Sequence, residues 1–319
     1  MEPTPVTDIV MAAHNAVRTI DASIQSVREQ SDPAWRLWVI DDGSDDDTAL
    51  HANRYSHDPR IQVISQPGAG AAAARNRGLD AIGPRSAFVA FLDSDDIWQP
   101  EFLATMRSAL HSDPGAGLAW CEMECFEGVS GRYRGDRLPV VGEAEETLPL
   151  IFSQVPFLGS SVLCRGKFFH AGLRYPERYR TMEDVHVWSS IAAQSRVIHV
   201  HESLVEYRVS ASSLSNGAGS MLRNYRDNVR SYRELYRTHQ GQISRDLYRE
   251  RMWRAHHFAG EDRMHGGHSG WLCFFKALVY RPRHAATWKN LAIGARARLR
   301  PESRERSREC ESRPIHSGD

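Results

Sequence analysis

Four short apolar runs, at Ile9 to Ala12, Leu37 to Ile40, Ile61 to Ile64 and Phe88 to Leu92, constrain this chain more than any other feature. They are too brief for helices, and their bulky residues do not alternate with polar ones, which is the pattern of strands covered on both faces. Between the first two, Val17, Ile20, Ile24 and Val27 recur at spacings of three and four and form one apolar stripe on a helix that stops before Asp32-Pro33. Thr48 to Tyr55 follows an Asp- and Ser-rich cap. Ala71 to Ala81 is helical by propensity, with Gly83-Pro84 ending it. Strands alternating with helices predict an α/β protein with a mainly parallel sheet flanked by helices, whose ligands bind beyond the carboxyl ends of the strands.

Beyond Pro100, Phe102, Leu103, Met106 and Leu110 mark another amphipathic helix that ends at Asp113-Pro114-Gly115, and Leu118 to Cys121 reads as a strand. Residues 126–147 are rich in Gly, Arg and Glu and have weak periodicity, as expected of a surface hairpin or loop. From Leu222 through Tyr225, Val229, Tyr232 and Tyr236 the spacing is helical again, with more helix to about His257. The expected organisation is a domain over 1–215, split into halves at 1–112 and 113–215. A helical extension over 216–300 follows, and a tail over 301–319 so poor in large apolar residues that disorder is expected.

Lys plus Arg and Asp plus Glu both total 40, so nothing predicts the strong phosphate-backbone attraction of a nucleic-acid binder; any phosphate chemistry should be local. The five cysteines are scattered and odd in number, unlike a disulfide framework, and imply a reducing cytoplasm. Cys121 and Cys125 form a C-x3-C pair without a second ligand pair, which fits a strand or its following turn better than zinc. Met1 to Thr7 carries no basic segment followed by an apolar stretch, so no signal peptide is expected, and no later run reaches the length of a spanning helix.

The chemistry concentrates where the strands end. Asp93-Ser94-Asp95-Asp96 follows the run ending at Leu92, and in extended chain Asp93 and Asp95 project to the same side, so both carboxylates can face one cation. Mg2+ or Mn2+ takes such hard oxygen ligands and completes its shell with water and phosphate oxygens. The competing reading is a solvated acidic turn that caps the next helix. A second acidic loop runs from Asp41 to Thr48. It departs from a calcium loop, since its glycine is third rather than sixth and no glutamate closes the frame. Asp41 could accept a hydrogen bond from a uracil N–H, while Ser44 to Thr48 cap the next helix. Gly68-Ala69-Gly70-Ala71-Ala72-Ala73 fits the dinucleotide pattern G-x-G-x-x-A, with Asp93 where a ribose-binding acid would stand. Ser65, Gln66 and Pro67 separate those glycines from the strand, whereas that pattern needs the first glycine in the tight turn itself.

Taken together, these loops resemble the inverting glycosyltransferases of family 2, over about Thr7 to Ser215. Ala12-Ala13-His14-Asn15 stands where that family has a segment like P-x-Y-N, and Asp41 in Val39-Ile40-Asp41-Asp42-Gly43-Ser44 matches its nucleoside-binding aspartate. Ala74-Arg75-Asn76-Arg77-Gly78 is similar to its A-R-N-x-G, and Asp93-x-Asp95 to its metal motif. Gly159-Ser160-Ser161 and Glu183-Asp184 in Thr181 to Trp188 look like its acceptor-side strand and its E-D helix. The resemblance implies a GT-A fold, Rossmann-like, and transfer of a sugar from a nucleotide-diphosphate donor, UDP by preference, with Mn2+ or Mg2+ as cofactor. It implies nucleotide contacts at Ala12, Ala13, Asn15, Asp41, Arg75, Asp93 and Ser94, metal ligands at Asp93 and Asp95, and the general base at Asp184. For Glu183-Asp184 the competing reading is a first helical turn stabilised by the helix dipole.

One position departs: many members carry a histidine two residues after the Tyr-Arg pair, and here Ser210 follows Tyr207-Arg208. His199 and His201 lie on one face of a strand nearby and read as satisfied strand histidines. The partners implied are a nucleotide sugar and a glycan, lipid-linked or protein acceptor, with no nucleic acid. An oxidoreductase and a catalytically inactive sugar-nucleotide binder are the alternatives. From Trp271 to Tyr280 an apolar aromatic stretch precedes basic residues up to Arg300, a pattern that suits either a membrane surface, at the inner face of the cell membrane, or packing on the catalytic domain. The Tyr- and Arg-rich helices leave self-association open.

Overall fold

The computed structural model describes residues 6–84, 86–126, 131–133, 144–154, 158–208, 224–266 and 268–299. The four apolar runs become β1 (Val6–Ala13), β2 (Trp35–Asp42), β3 (Ile61–Gln66) and β4 (Ser86–Phe91). They are joined by α1 (Ile20–Arg28), α2 (Thr48–Asn53) and α3 (Ala71–Ala81), and pair in parallel in the order β3-β2-β1-β4. The chain continues through β5 (Ile97–Trp98), α4 (Phe102–Ser112), β6 (Ala116–Phe126), β7 (Gly131–Tyr133) and α5 (Ala144–Gln154). After a 3-10 turn (Gly159–Ser161) come β8 (Val162–Arg165), α6 (Lys167–His170), α7 (Glu183–Ala192) and β9 (Arg196–Arg208). β8 runs antiparallel between β4 and β6, β9 runs parallel to β6, and among the described residues the sheet has nine strands. α8 (Tyr225–Thr238), α9 (Arg245–His265), α10 (Trp271–Tyr280) and α11 (Ala285–Leu299) complete the chain.

The period-2 alternation of a strand sorts side chains between two cores. In β1, Ile9, Met11 and Ala13 join α1 and α4 on one face, while Val10 joins α3, α5 and α7 on the other. β1, β2 and β4 are accordingly buried almost throughout. β3 corrects the expectation of burial on both faces. It is the edge strand, so Ile61 is buried while Val63 and Ile64 are half-exposed. Val229, Tyr232 and Leu235 of α8 and Met252 of α9 enter the same core as Phe152 and Trp188, so these helices share apolar contacts with the sheet.

The segment expected as a hairpin or loop does pair as a hairpin where it is described, Met123–Cys125 against Gly131–Tyr133, and α5 starts within it at Ala144. α9 runs to His265, past the expected end near His257. Ser210, Leu222 and the tail 301–319 lie outside the described residues. The stretch from Trp271 divides: Cys273, Phe274 and Ala277 are buried, whereas Leu272, Phe275 and Val279 are exposed. Among the described residues, no helix is long and apolar enough to cross a membrane.

One buried acid stabilises the parallel half. Asp8 of β1 is wholly inaccessible and accepts hydrogen bonds from Arg36 and Trp38 of β2 and from Ser86 of β4, pinning three adjacent strands at their amino ends. Removing it would strand the Trp38 indole N–H in the core and leave Arg36 without its carboxylate. Asp8→Ala should therefore lower stability by about 3 kcal/mol, read from the midpoint of urea denaturation; a change below about 0.5 kcal/mol would show that these bonds do little.

Candidate active site

Because β1, β2 and β4 are parallel and in register, Ala13 lies beside Asp41 and Leu92 donates its N–H to the Val10 carbonyl at 3.1 Å. The loops after all three strands therefore open on one edge of the sheet.

After β2, the two adjacent aspartates do different things. Asp41 is 5% exposed and meets the Ser44 N–H at a long 3.4 Å. Asp42 is spent on the glycine loop: it accepts from Gln66 Nε2 at 2.7 Å, from the Ala69 N–H at 2.8 Å and from the Gly70 N–H at 2.7 Å. Gly43 makes the close approach that this needs. Its φ is +69°, and a β-carbon there would lie 2.5 Å from the Gly68 nitrogen. The glycines at 68 and 70 thus pack the acidic loop, and the amides that a dinucleotide phosphate would need at Ala69 and Gly70 already serve Asp42. Asn15, in the left-handed region at φ 51°, ties the β1 loop to the same place. It donates its N–H to Ser44 Oγ at 3.0 Å and accepts the Asp45 N–H at 2.8 Å. Ala12 packs beside Trp38, Ile40 and Ala74, and Ala13 is buried.

After β4 the chain does not stay extended. Asp96 donates its N–H to the Asp93 carbonyl at 3.2 Å, a turn in which Ser94 is half-buried. Asp93 and Asp95 are therefore neighbours through the turn rather than by strand alternation, which corrects the route though not the proximity. Ser160, at the centre of the 3-10 turn, braces this turn. Its hydroxyl accepts the Asp93 N–H at 3.1 Å and donates to Asp96 at 2.6 Å, and its carbonyl accepts the Trp98 indole N–H at 2.7 Å. From β9, the Arg208 N–H meets Asp96 at 3.0 Å and its guanidinium meets the Asp95 carbonyl at 3.0 Å.

Arg75 joins this turn to α7. Its guanidinium donates to Asp93 at 2.7 Å and to Glu183 at 2.9 Å, and lies 5.5 Å from the centre of the Tyr175 ring. Burial opposes its charge, but Asp93 and Glu183 outweigh burial and raise its pKa. Glu183 opens α7 directly after Met182, whose φ of 73° is an uncommon backbone state for such a residue and sets the helix start. Asp184 lies beside it and caps its own turn through the Val185 N–H at 2.8 Å.

Four carboxyl groups in this small volume are short of positive charge. Burial, then the charge of Asp93, pushes Asp95 up to about 6. Burial and Asp184 push Glu183 up to about 7 against the pull of Arg75. Burial raises Asp184 as well, and Asp96, packed beside Asp93 and Asp95, is raised well above the carboxylate range. Clustered acids with raised proton affinities have the chemistry to accept a cation or a proton.

Sequence reading had not singled out Asp42, Asp96, Ser160, Arg208 or the Arg75–Glu183 pair. Ser160, Glu183 and Arg208 stood within noted motifs, but nothing local says which residues a distant carboxylate will meet. His199 departs from its reading as a satisfied strand histidine: both ring nitrogens are buried without a hydrogen-bond partner.

The fold is GT-A, and the chain belongs to glycosyl transferase family 2, whose model matches residues 8–175. A UDP-Glc:alpha-D-GlcNAc-diphosphoundecaprenol beta-1,3-glucosyltransferase of Escherichia coli is 47% identical over 91 residues, 28% of this chain and 35% of that enzyme. The chain spans about a third of the length of that curated relative. TarS 1-349 of S. aureus in complex with UDP-GlcNAc superposes with a TM-score of 0.61 at 13% identity, covering 92% of each chain. The mannosyltransferase PcManGT of Pyrobaculum calidifontis, in complex with GDP-Man and Mn2+, gives 0.60 at 17% identity, covering 93% of this chain and 81% of that one.

The raised Asp95 pKa has a definite sign. Ionised Asp95 is costlier in the folded chain than in the unfolded one, so its penalty is present above about 6 and gone below the ordinary carboxylate range. In metal-free protein, Asp95→Asn should add about 1 to 2 kcal/mol of stability at pH 8, after discounting for partial exposure. That gain should vanish as the pH falls through 6 towards 4. A gain that is flat with pH, measured by denaturant melts across this range, would contradict the assignment.

Proposed function

We propose that the chain transfers a sugar from a nucleotide-diphosphate donor, UDP-linked by preference, to an acceptor hydroxyl with inversion at the anomeric carbon. The observation that carries this reading is the Arg75 fork, which holds Asp93 at the end of β4 and Glu183 at the start of α7 against one guanidinium, with Asp95 and Asp184 alongside. The nucleoside lies along Ala12, Ala13, Asn15 and Asp41. Asp41, engaged only at long range by Ser44, retains acceptor capacity for a uracil N–H. Arg75, Asp93 and Ser94 meet the nucleotide towards its diphosphate.

The donor set fits a hard cation. Asp93 and Asp95 offer carboxylate oxygens, and the proton affinity of Asp95, raised by burial and then by the charge of Asp93, is what a bound cation would lower. These two residues would hold Mn2+ or Mg2+, which when bound neutralises charge on the departing diphosphate. Asp184 accepts the proton of the acceptor hydroxyl as its oxygen attacks the anomeric carbon from the face opposite the diphosphate. Its pKa, raised by burial, suits a base that must take a proton from a hydroxyl. Glu183, held by Arg75, keeps that cation between the base and the metal-binding carboxylates.

The E. coli relative supports the reading through a name that specifies a UDP sugar and a diphosphoundecaprenol-linked acceptor, and the Pyrobaculum neighbour through its Mn2+. By the same route we place the acceptor among lipid-linked or other glycans of surface-polysaccharide assembly. Asp184→Asn should lower sugar transfer by about 10² to 10⁴ while leaving Mn2+-dependent binding of the nucleoside diphosphate, measured by calorimetry, unchanged. Transfer at the wild-type rate in this variant would exclude Asp184 as the base. A wild-type protein that binds sugar nucleotides yet never releases nucleoside diphosphate would instead be an inactive binder.

A further inference from the structure

The mid-portion of the β6–β9 pair carries a second cluster of donor atoms that the proposed chemistry does not use. The two strands run in step from Leu118 beside Val197 to Cys121 beside Val200, and then the register slips so that Glu122 lies beside Ser203. The extra residues of β9 at this slip include His201. The bulge brings together Glu122, His199 and His201, with one ligand atom from each lying within 4.8 Å of the others. Glu122 Oε1 is 3.9 Å from His199 Nε2 and 3.9 Å from His201 Nδ1.

The cluster is shaped for more than a chance encounter of polar groups. His199 stacks flat on Trp120, 3.7 Å between ring centres and 3° between planes, so its orientation is fixed. Its side chain is 7% exposed, and neither ring nitrogen has a hydrogen-bond partner. An unsatisfied buried ring nitrogen costs about 1 to 3 kcal/mol, and it stands beside a carboxylate and a second imidazole. His201, in contrast, is 63% exposed and free to turn.

We propose that Glu122, His199 and His201 form a binding site for Zn2+, or a chemically similar late first-row divalent ion, separate from Asp93 and Asp95. Two imidazoles and one carboxylate suit such borderline ions, whereas the all-oxygen aspartate pair suits Mg2+ or Mn2+. Donor atoms on a tetrahedral Zn2+ stand about 3.4 Å apart, so the cluster must contract, and a small shift of the Glu122 carboxylate towards His199 together with rotation of the exposed His201 ring supplies that movement. The fourth position is left to water. Cys121, the neighbour of Glu122, belongs to the core on the other face of the sheet and does not contribute. Bound there, the ion would clip β6 to β9 at the bulge, on the strand whose far end supplies Arg208 to Asp95 and Asp96.

The full chain, stripped with a chelator, is titrated with Zn2+ alone by calorimetry and with Co2+ alone by visible absorption. The wild type should take up one tight equivalent and give the strong visible bands of low-coordinate Co2+. His201→Ala, at an exposed position that does not threaten folding, and Glu122→Gln should each weaken binding at least tenfold to a hundredfold. The double variant Asp93→Asn, Asp95→Asn should keep the equivalent. The proposal is overturned if the wild type binds no tight equivalent, if His201→Ala and Glu122→Gln bind as the wild type does, or if the equivalent disappears with Asp93 and Asp95. Since the readout is binding of this ion alone, its failure leaves the glycosyl-transfer reading untouched.

Discussion

The Arg75 guanidinium is the interaction on which this site depends. Asp93 and Glu183 lie far apart in the chain, one following a strand and the other opening a helix. Without a buried cation between them, their charges and that of Asp184 would push the strand end and the helix apart. The guanidinium suits the task because its planar fork can satisfy two carboxylates at once, which a lysine ammonium cannot do with the same geometry. Its partners are spaced at 2.7 Å and 2.9 Å, and the Tyr175 ring lies against it. Even so, burial and then the neighbouring acids hold Asp95 and Glu183 well above ordinary carboxylate values, against the pull of Arg75 on Glu183.

The sheet explains why these acids meet. Parallel pairing of β1, β2 and β4 sets their carboxyl ends side by side, and insertion of β8 next to β4 places Ser160 under the Asp93 turn. β9 returns along β6 to deliver Arg208 to the same turn. Each acidic residue then settles into a role set by what surrounds it. Asp42 and Asp96 are consumed by hydrogen bonds that shape loops, whereas Asp41 meets the Ser44 N–H at long range and Asp93 pairs with Arg75. Adjacent aspartates in one acidic run thus differ in how far the fold itself uses them.

Much of this was legible in the residues. Apolar runs without alternation located the four parallel strands, and α3 begins and ends at the expected Ala71 and Ala81, because Gly70 and Gly83-Pro84 are strong local punctuation. What failed was long-range in origin. β3 looks like a buried strand but lies at the sheet edge, a property of strand order that no local pattern encodes. Alternation suggested how Asp93 and Asp95 could share a side, yet a turn braced by Ser160, 67 residues away, sets their relation. The glycine loop matched a dinucleotide pattern because both uses need close backbone approach; the spacing from the strand already argued against that use, and the Asp42 hydrogen bonds show what the glycines serve instead. His199 reads like any strand histidine until the bulge places Glu122 and His201 beside it.

Arg75 is held in place by the carboxylates of two separate elements and in turn holds them together, and this mutual hold organises the site. A double-mutant cycle on folding stability tests it, using Arg75→Met and Glu183→Gln singly and together. Arg75→Met alone should cost about 3 to 5 kcal/mol, because it leaves buried acids without their cation. The double variant should recover about 1.5 to 3 kcal/mol relative to the sum of the single changes. Additivity within about 0.5 kcal/mol would mean that the two residues do not act on each other, and the proposed organisation of the site would be wrong.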